Sequence, residues 1–95
     1  MSHTQANELV AMLQRGEITL RELKGITEEE MAAGVAAGRE IMARGAHQAA
    51  AEVLSCLALY DPYRPDVWQA LAELMQRERS PDQARLFAGL ARAMA

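Results

Sequence analysis

The chain has very few aromatic residues and almost no cysteine. Four of its 95 residues are aromatic, and its single cysteine excludes an internal disulfide and a zinc cluster. β-branched residues are also scarce, because valine, isoleucine and threonine together number 10, against 19 alanines and 11 leucines. Alanine and leucine are strong helix formers, whereas β-branched residues favour strands. The composition therefore predicts an all-α fold whose core is built from alanine, leucine and methionine.

The sequence also lacks an excess of positive charge and any long apolar run. Ten basic and thirteen acidic residues give a net charge of −3, whereas a dedicated nucleic-acid binder normally has a basic surplus. No stretch approaches the roughly 18 apolar residues of a membrane-spanning helix, and no charged-then-apolar leader opens the chain. We therefore expect one soluble helical domain, residues 1–95, in a reducing compartment, without a nucleic-acid partner and without membrane insertion.

Sequence patterns for catalysis, cofactors and metals are missing as well. His3 and His47 have no cysteine or carboxylate at ligand spacing, and no nucleophile elbow, phosphate loop or HExxH motif occurs. Cys56 lies in an apolar helical stretch without a basic neighbour, which predicts a buried structural thiol. A solvated helix start explains the acidic run at 28–30. The expected protein is not an enzyme and has neither a cofactor nor a metal site.

Glycines, prolines and capping residues divide the chain into helices. Gly16, Gly25 and Gly45 predict helix ends, and Thr27 with Glu30 predicts a capping box. Another N-cap is expected at Ser80, with Pro81 at the first position of the last helix and Gln83 as the capping-box partner at the third. The predicted helices cover 6–15, 20–24, 27–44, 47–60, a segment from 65, and a segment from 81 almost to residue 95.

A period of 34 residues relates the two halves of the chain. It aligns Gly34 with Trp68, Gly38 with Ala72, Ile41 with Met75, and Ala50 with Ala84. This is the period of the tetratricopeptide repeat, a helix–turn–helix unit whose helices approach closely at small residues. We expect tetratricopeptide-like repeats at 31–64, in degenerate form, and at 65–95, preceded by an N-terminal helix and a short capped turn at 1–26. An alanine-rich bundle with a chance period is the alternative.

Two stretches carry a more specific resemblance. The run LRELKGITEEEM, residues 20–31, resembles the opening of the class II chaperones of bacterial type III secretion, the SycD/LcrH-type tetratricopeptide proteins. The run LALYDPY, residues 57–63, followed by Trp68, resembles the junction between the first and second repeats of that family. The resemblance covers about residues 17–78. It implies a cytoplasmic, non-catalytic, self-associating chaperone that holds a secreted translocator subunit before export.

That family binds its client in the concave groove formed by the first helices of the repeats. Carried onto this sequence, the repeat geometry places a set of residues from both first helices on the groove face. They are Ala32, Val35, Ala36, Arg39 and Met42, followed by Asp66, Gln69, Ala70, Glu73 and Gln76. Such a surface is apolar at one end and polar at the other, as an amphipathic client requires. A solvated face is the alternative for the polar half.

Other residues indicate packing against a further helix. Gly34 and Gly38 lie one turn apart and predict close approach by a helix of a client or of a second copy. Alternatively, Gly38 occupies the ordinary small position of the repeat, and the N-terminal helix fills the space at Gly34. Leu9, Val10, Met12 and Leu13 form an apolar stripe, for which a homodimer contact and packing onto the chain's own repeats are both open.

Three functions are alternatives to the translocator chaperone. They are a needle-subunit chaperone, an adaptor for a partner that is not exported, and a purely structural homo-oligomer.

Overall fold

The computed structural model describes the backbone of residues 3–95 and the side chains of residues 6–95. This part of the chain forms six α-helices and contains no strand. They are α1 (His3–Gln14), α2 (Leu20–Lys24), α3 (Glu28–Ala43), α4 (His47–Tyr60), α5 (Pro65–Arg77) and α6 (Pro81–Met94). The predicted all-α class is confirmed, and the helix bounds agree with those expected from the sequence to within a few residues at each end.

The helices pack as two successive hairpins. Helix α3 packs along α4, α5 packs along α6, and both α3 and α4 contact α5. The core cluster between these helices consists of Met31, Val35, Met42, Ala50, Leu54, Val67, Ala70, Leu71 and Leu74. Only aliphatic residues and methionine occur in this cluster, which agrees with the scarcity of aromatic residues in the chain. The arrangement is a repeat-like stack in which α5 touches both helices of the preceding hairpin.

Local signals explain where most of the helices begin and end. Gly16, Gly25 and Gly45 follow helices with φ angles of 74°, 72° and 85°, a left-handed conformation that glycine adopts without a Cβ clash. At the start of α3, the Thr27 hydroxyl accepts the Glu30 N–H at 3.1 Å, and the Glu30 carboxylate accepts the Thr27 N–H at 2.9 Å. The predicted capping box is therefore present.

The predicted side-chain cap of the last helix is wrong. Ser80 precedes α6, but its hydroxyl accepts no hydrogen bond from the first turn. The backbone gives the reason, because Ser80 has a ψ of 77°, whereas the capping residue Thr27 is extended, with a ψ of 164°. Only the extended conformation directs the hydroxyl towards the free N–H groups of the helix start. Pro81, at the first helical position, has no N–H that needs a partner.

Candidate partner-binding surfaces

A cleft with three charged side chains in its lining opens between α3, α5 and the end of α6, and we call it the α3/α5 cleft. Arg39 of α3 donates two hydrogen bonds to Glu73 of α5, from Nε at 3.1 Å and from Nη2 at 3.2 Å. Beside this pair, a cleft of about 380 Å³ is lined by Arg39, Pro65, Asp66, Gln69, Ala91, Arg92 and Ala95. The structure therefore brings together Arg39, Asp66, Gln69 and Glu73 from the predicted groove. Their role in binding a partner stays a prediction.

The prediction that Val35 and Met42 face an open groove is wrong. Their side chains are only 3% and 2% exposed, because they share the buried stripe of α3 with Met31 and Gly38 at a spacing of three and four residues. Ala70, on α5, is fully buried in the same core. The other predicted positions, Ala32, Ala36 and Gln76, are exposed and lie outside the lining of the α3/α5 cleft.

Side chains of the same chain cover Gly34 and Gly38, the two glycines of α3. A Cβ on Gly38 would lie 2.7 Å from Cδ2 of Leu54, and a Cβ on Gly34 would lie 3.0 Å from Cδ2 of Leu57. Both leucines belong to α4. The close approach predicted from these glycines is therefore present, and the helix that makes it is α4 of the same chain. Neither glycine leaves a space for a client or for the N-terminal helix.

An apolar groove opens on another face of the molecule, between α4 and α6 and over α5. It has a volume of about 530 Å³ and is lined by Ser55, Ala58, Leu59, Pro62, Trp68, Leu71 and Phe87. Leu59, at its edge, is 72% exposed, whereas Leu71, at its base, is buried. A soluble protein rarely leaves neighbouring large apolar side chains in contact with water unless they serve to bind something. We refer to these seven residues as the apolar groove.

The aromatic wall of the apolar groove is held in place by two contacts. The rings of Trp68 and Phe87 are stacked, with their centroids 5.8 Å apart and an angle of 22° between their planes. The indole Nε1 of Trp68 donates a hydrogen bond to the carbonyl oxygen of Pro62 at 2.6 Å. The polar atom of the indole is thus satisfied within the chain. A partner that enters the groove would meet preoriented apolar surface and would lose little side-chain freedom there.

The sequence pattern missed this groove, although one signal for it was present. Leu59 stands five positions after the buried Leu54, so it lies about 140° around α4 from the core stripe. Large apolar residues that fall off the buried stripe of an amphipathic helix indicate a second apolar face.

A network of ion pairs connects α2 with the link between α4 and α5. Arg21 Nε lies 3.0 Å from Asp61 Oδ2, and Arg21 Nη2 lies 3.0 Å from Glu28 Oε1. Arg64 pairs with the other oxygen of Glu28. The side chain of Asp61 is 7% exposed, so this pair is shielded from water. The network joins the two stretches that carry the chaperone resemblance, since Arg21 belongs to the first and Asp61 to the second.

Arg64, in the link between α4 and α5, also holds the first turn of α5 in place. Arg64 donates from Nε to Asp66 Oδ1 at 3.0 Å and from Nη2 to Oδ2 at 2.7 Å. Partial burial opposes ionisation of Asp66, but the hydrogen bond and the charge of Arg64 outweigh it and hold the pKa of Asp66 below its usual range. The hydrogen bond to Asp66 in turn raises the pKa of Arg64. Both groups are therefore charged at neutral pH.

Helix α1 takes part in none of the extensive helix–helix contacts among the described residues. Within its apolar stripe, Leu9, Met12 and Leu13 are half-buried and Val10 is exposed. A small cleft beside the end of α1 is lined by Leu13, Gly16, Ile18, Thr19, Leu20, Leu59, Pro62 and Tyr63. The stripe is therefore not part of the main core, and its predicted role in self-association stays a prediction.

The prediction of a buried thiol at Cys56 is wrong. Cys56 is exposed on α4, because it stands two positions after Leu54 and so lies about 200° around the helix from the core stripe. His47 Nδ1 lies 3.5 Å from Glu78 Oε1, which links the start of α4 to the end of α5. The side chain of His3 lies outside the described residues. No group of three metal-ligating side chains occurs within residues 6–95.

None of the six described helices combines the length and apolar character needed to traverse a bilayer. Comparison with protein-family models, curated proteins and solved structures finds no match for the chain. The geometry of the chain itself thus supplies the two candidate surfaces. They are the α3/α5 cleft and the apolar groove over α5.

Proposed function

We propose that this chain is a non-catalytic binding protein that masks an amphipathic segment of another protein in its apolar groove. The observation that carries the proposal is the exposure of Leu59 beside the half-buried rings of Trp68 and Phe87. A groove between two helices over a third is suited to an amphipathic helix with apolar residues at a spacing of three and four. Burial of apolar area on both partners would drive the association.

The resemblance suggests a particular partner class. We propose a type III secretion chaperone that holds a translocator subunit in the bacterial cytoplasm before export. The two stretches that resemble the class II family are separate in sequence, and the Arg21–Asp61 ion pair joins them in space. A needle-subunit chaperone is the second candidate, because the groove has the shape that accepts a helix. Both candidates use the apolar groove, and neither requires catalytic chemistry.

Co-purification tests the partner class. The tagged full chain is expressed in turn with a translocator subunit and with a needle subunit of the same secretion system, and the retained partner is quantified. Retention of one subunit supports the proposal and chooses between the two candidates. Retention of neither, under conditions in which a partner that is never exported is retained, would support an adaptor instead.

Two matched substitutions then test the groove. We expect Leu59→Glu to weaken the partner Kd by at least about tenfold, because it places a charge among the apolar residues of the groove. The control is Leu86→Glu, since Leu86 is also large, apolar and exposed but does not line the groove. Circular dichroism should show unchanged helicity for both variants. Equal weakening by the two substitutions would place the contact elsewhere.

A further inference from the structure

Two clefts of the molecule meet at the exposed Leu59. Leu59 at the end of α4 and Pro62 just after it line both the apolar groove and the small cleft beside the end of α1. The rest of the small cleft is formed by Leu13, by the chain from Gly16 to the start of α2, and by Tyr63. Because Leu59 is 72% exposed, its side chain protrudes where the two clefts adjoin. One partner can therefore contact both clefts at once.

Helix α1 directs part of its apolar stripe towards the body of its own chain. Leu9, Met12 and Leu13 are half-buried, whereas Val10 is 52% exposed. Of these four residues, only Leu13 lines the small cleft, where it faces the same space as Leu59. The structure thus places the last turn of α1 beside the exposed edge of the apolar groove.

The turn after α1 is well defined and lies against Tyr63. The Gly16 N–H donates to the Leu13 carbonyl at 3.1 Å, and the Glu17 N–H donates to the Met12 carbonyl at 2.9 Å. With Gly16 at a φ of 74°, these two bonds form the Schellman closure of a helix end. A Cβ on Gly16 would lie 3.3 Å from the Tyr63 hydroxyl, so the backbone of the turn passes close to that ring. The small cleft therefore has an ordered wall on the side of α1.

The face of α4 between the two clefts is suited to a partner helix. Ser55, Ala58 and Leu59 line the groove at positions i, i+3 and i+4, which share one face of a helix. Packed helices insert a protruding side chain of one between side chains of the other. Leu59 is the protruding side chain of this face. A helix seated on it would place one apolar side chain in the groove and another in the small cleft.

The small cleft has the size of one apolar side chain. Its volume is about 150 Å³. An apolar protein cavity of about that volume admits a benzene molecule, which is comparable to the side chain of a leucine or a phenylalanine. The apolar groove, at about 530 Å³, is larger and accommodates the main contact.

The groove alone offers little area to a partner helix. From Ser55 to Pro62 it follows the chain over about 10 Å of helix axis. Half of the lateral surface of a helix segment of that length and about 10 Å wide is about 160 Å². The contact would then bury about 320 Å² over both partners, well under the ~1,000 Å² of a specific interface. A helix that binds here needs further contacts, and the small cleft is the apolar surface that adjoins the groove.

We propose that the end of α1 is a second subsite for the partner, in which Leu13 and the following turn hold one apolar side chain of an amphipathic helix. The groove holds another apolar side chain of the same helix, one turn away. This inference rests on the proposed function and specifies its partner, which has two large apolar residues about four positions apart. Helix α1 then adds to the affinity for the partner and does not compete with it.

Two synthetic peptides of identical composition test the spacing. Each is an alanine–lysine helix of about 15 residues with two leucines. The first has its leucines at the fifth and ninth positions, on one face, and the second has them at the fifth and seventh, on different faces. Calorimetric titration of the full chain should give the first peptide a Kd at least about tenfold lower, because only it buries both leucines.

Matched substitutions on α1 test the subsite itself. Leu13→Glu places a charge in the small cleft and should raise the Kd of the first peptide at least about tenfold, and Leu13→Ala should raise it in the same direction. The control is Val10→Glu, because Val10 is apolar and exposed on the same helix but lines neither cleft. Its Kd should equal that of the wild type. Circular dichroism should show unchanged helicity for all three variants.

Four results would overturn the second subsite. The first is an unchanged Kd in both Leu13 variants while Leu59→Glu weakens binding, which would leave the proposed function intact. The second is tighter binding by Leu13→Glu, which would show that α1 competes with the partner. Equal affinity of the two peptides, or binding of neither at millimolar concentration, would exclude a helix with two anchors. Failure of the proposed function is seen separately, as retention of neither secretion subunit in the co-purification.

Discussion

Arg39 and Glu73 stand 34 residues apart, at equivalent positions of the two helical hairpins, and they bind each other through two hydrogen bonds. The first position supplies the cation and the second the anion, so the repeat period itself brings opposite charges together across α3 and α5. Each side chain is 39% exposed. The pair defines the register of the two hairpins, but water screens much of its electrostatic attraction.

We expect a small coupling energy for Arg39 and Glu73. A double-mutant cycle with Arg39→Ala, Glu73→Ala and both together should give about 0.2–1 kcal/mol, the range measured for exposed pairs. The free energy of unfolding is obtained from urea titrations of the four proteins. A coupling energy well above this range would indicate that the pair is less accessible to water than its exposure suggests.

The Arg21–Asp61 pair should matter more for stability. Asp61→Ala removes the shielded carboxylate that accepts hydrogen bonds from Arg21 Nε at 3.0 Å and from the Tyr63 N–H at 3.1 Å. Because the partly buried Arg21 guanidinium then loses its shielded carboxylate partner, the free energy of unfolding should fall by about 2–3 kcal/mol. Glu28 continues to pair with Arg21, which limits the loss. A loss no larger than that of Arg39→Ala would contradict this ranking.

The two glycines of α3 should respond differently to alanine. Gly38→Ala places a Cβ against the fully buried Leu54, and we expect a loss of about 1–2 kcal/mol despite the higher helix propensity of alanine. Gly34→Ala meets the half-buried Leu57, which can move aside, so its stability should change by less than about 0.5 kcal/mol. Urea unfolding of both variants gives the comparison.

A compensating substitution checks the cause of the Gly38→Ala loss. The positions 34 residues after Gly38 and Leu54 are Ala72 and Ala88, so the second hairpin has two small residues where the first has one small and one large. Combining Gly38→Ala with Leu54→Ala should therefore cost less than the sum of the two single changes. Strict additivity would mean that the Cβ at position 38 does not press on Leu54.

Thr27 and Ser80 have similar sequence contexts and should have different effects. Thr27→Ala removes a capping box, so the free energy of unfolding should fall by about 1 kcal/mol. Ser80→Ala should have almost no effect, because the Ser80 hydroxyl caps nothing in the first turn of α6. Thermal unfolding of the two variants side by side makes the comparison. Equal losses would show that Ser80 does cap its helix in solution.

Protonation of the Asp66 carboxylate should account for part of the loss of folding stability at low pH. A carboxyl group whose pKa is lower in the folded chain stabilises it fully above the unfolded pKa, 3.8, and loses that contribution as the pH falls through the folded pKa. As the pH falls through and below 3.8, the wild type should therefore lose stability more steeply than Asp66→Asn. If stability depends on pH with the same slope in Asp66→Asn and in the wild type, the lowered pKa of Asp66 is contradicted.

The sequence predicted the structural features that depend only on residues close together in the chain. The capping box at Thr27 and the left-handed turn at Gly45 involve neighbouring residues only, so the bounds of α3 were found to within one residue. The composition likewise predicted the all-α class, because no strand-forming segment was present to compete.

Burial depended on how the helices are rotated against one another, and the sequence did not define that rotation. Val35 and Met42 were assigned to an open surface, yet they complete the core against α4 and α5. Cys56 was assigned to the core because its neighbours along the chain are apolar, yet the stripe that α4 buries runs through Ala50 and Leu54. The apolar groove needs three helices to form, so no single helix predicts it.

Trp68 gives the molecule an internal optical reporter. It is the only tryptophan in the chain, and it lies in the wall of the apolar groove with its N–H already bonded to Pro62. Its emission spectrum therefore reports on one location, which includes the solvent at the exposed edge of the ring. Insertion of an apolar helix would remove that solvent and shift the emission to shorter wavelength. Occupancy of the groove could thus be followed in unlabelled protein.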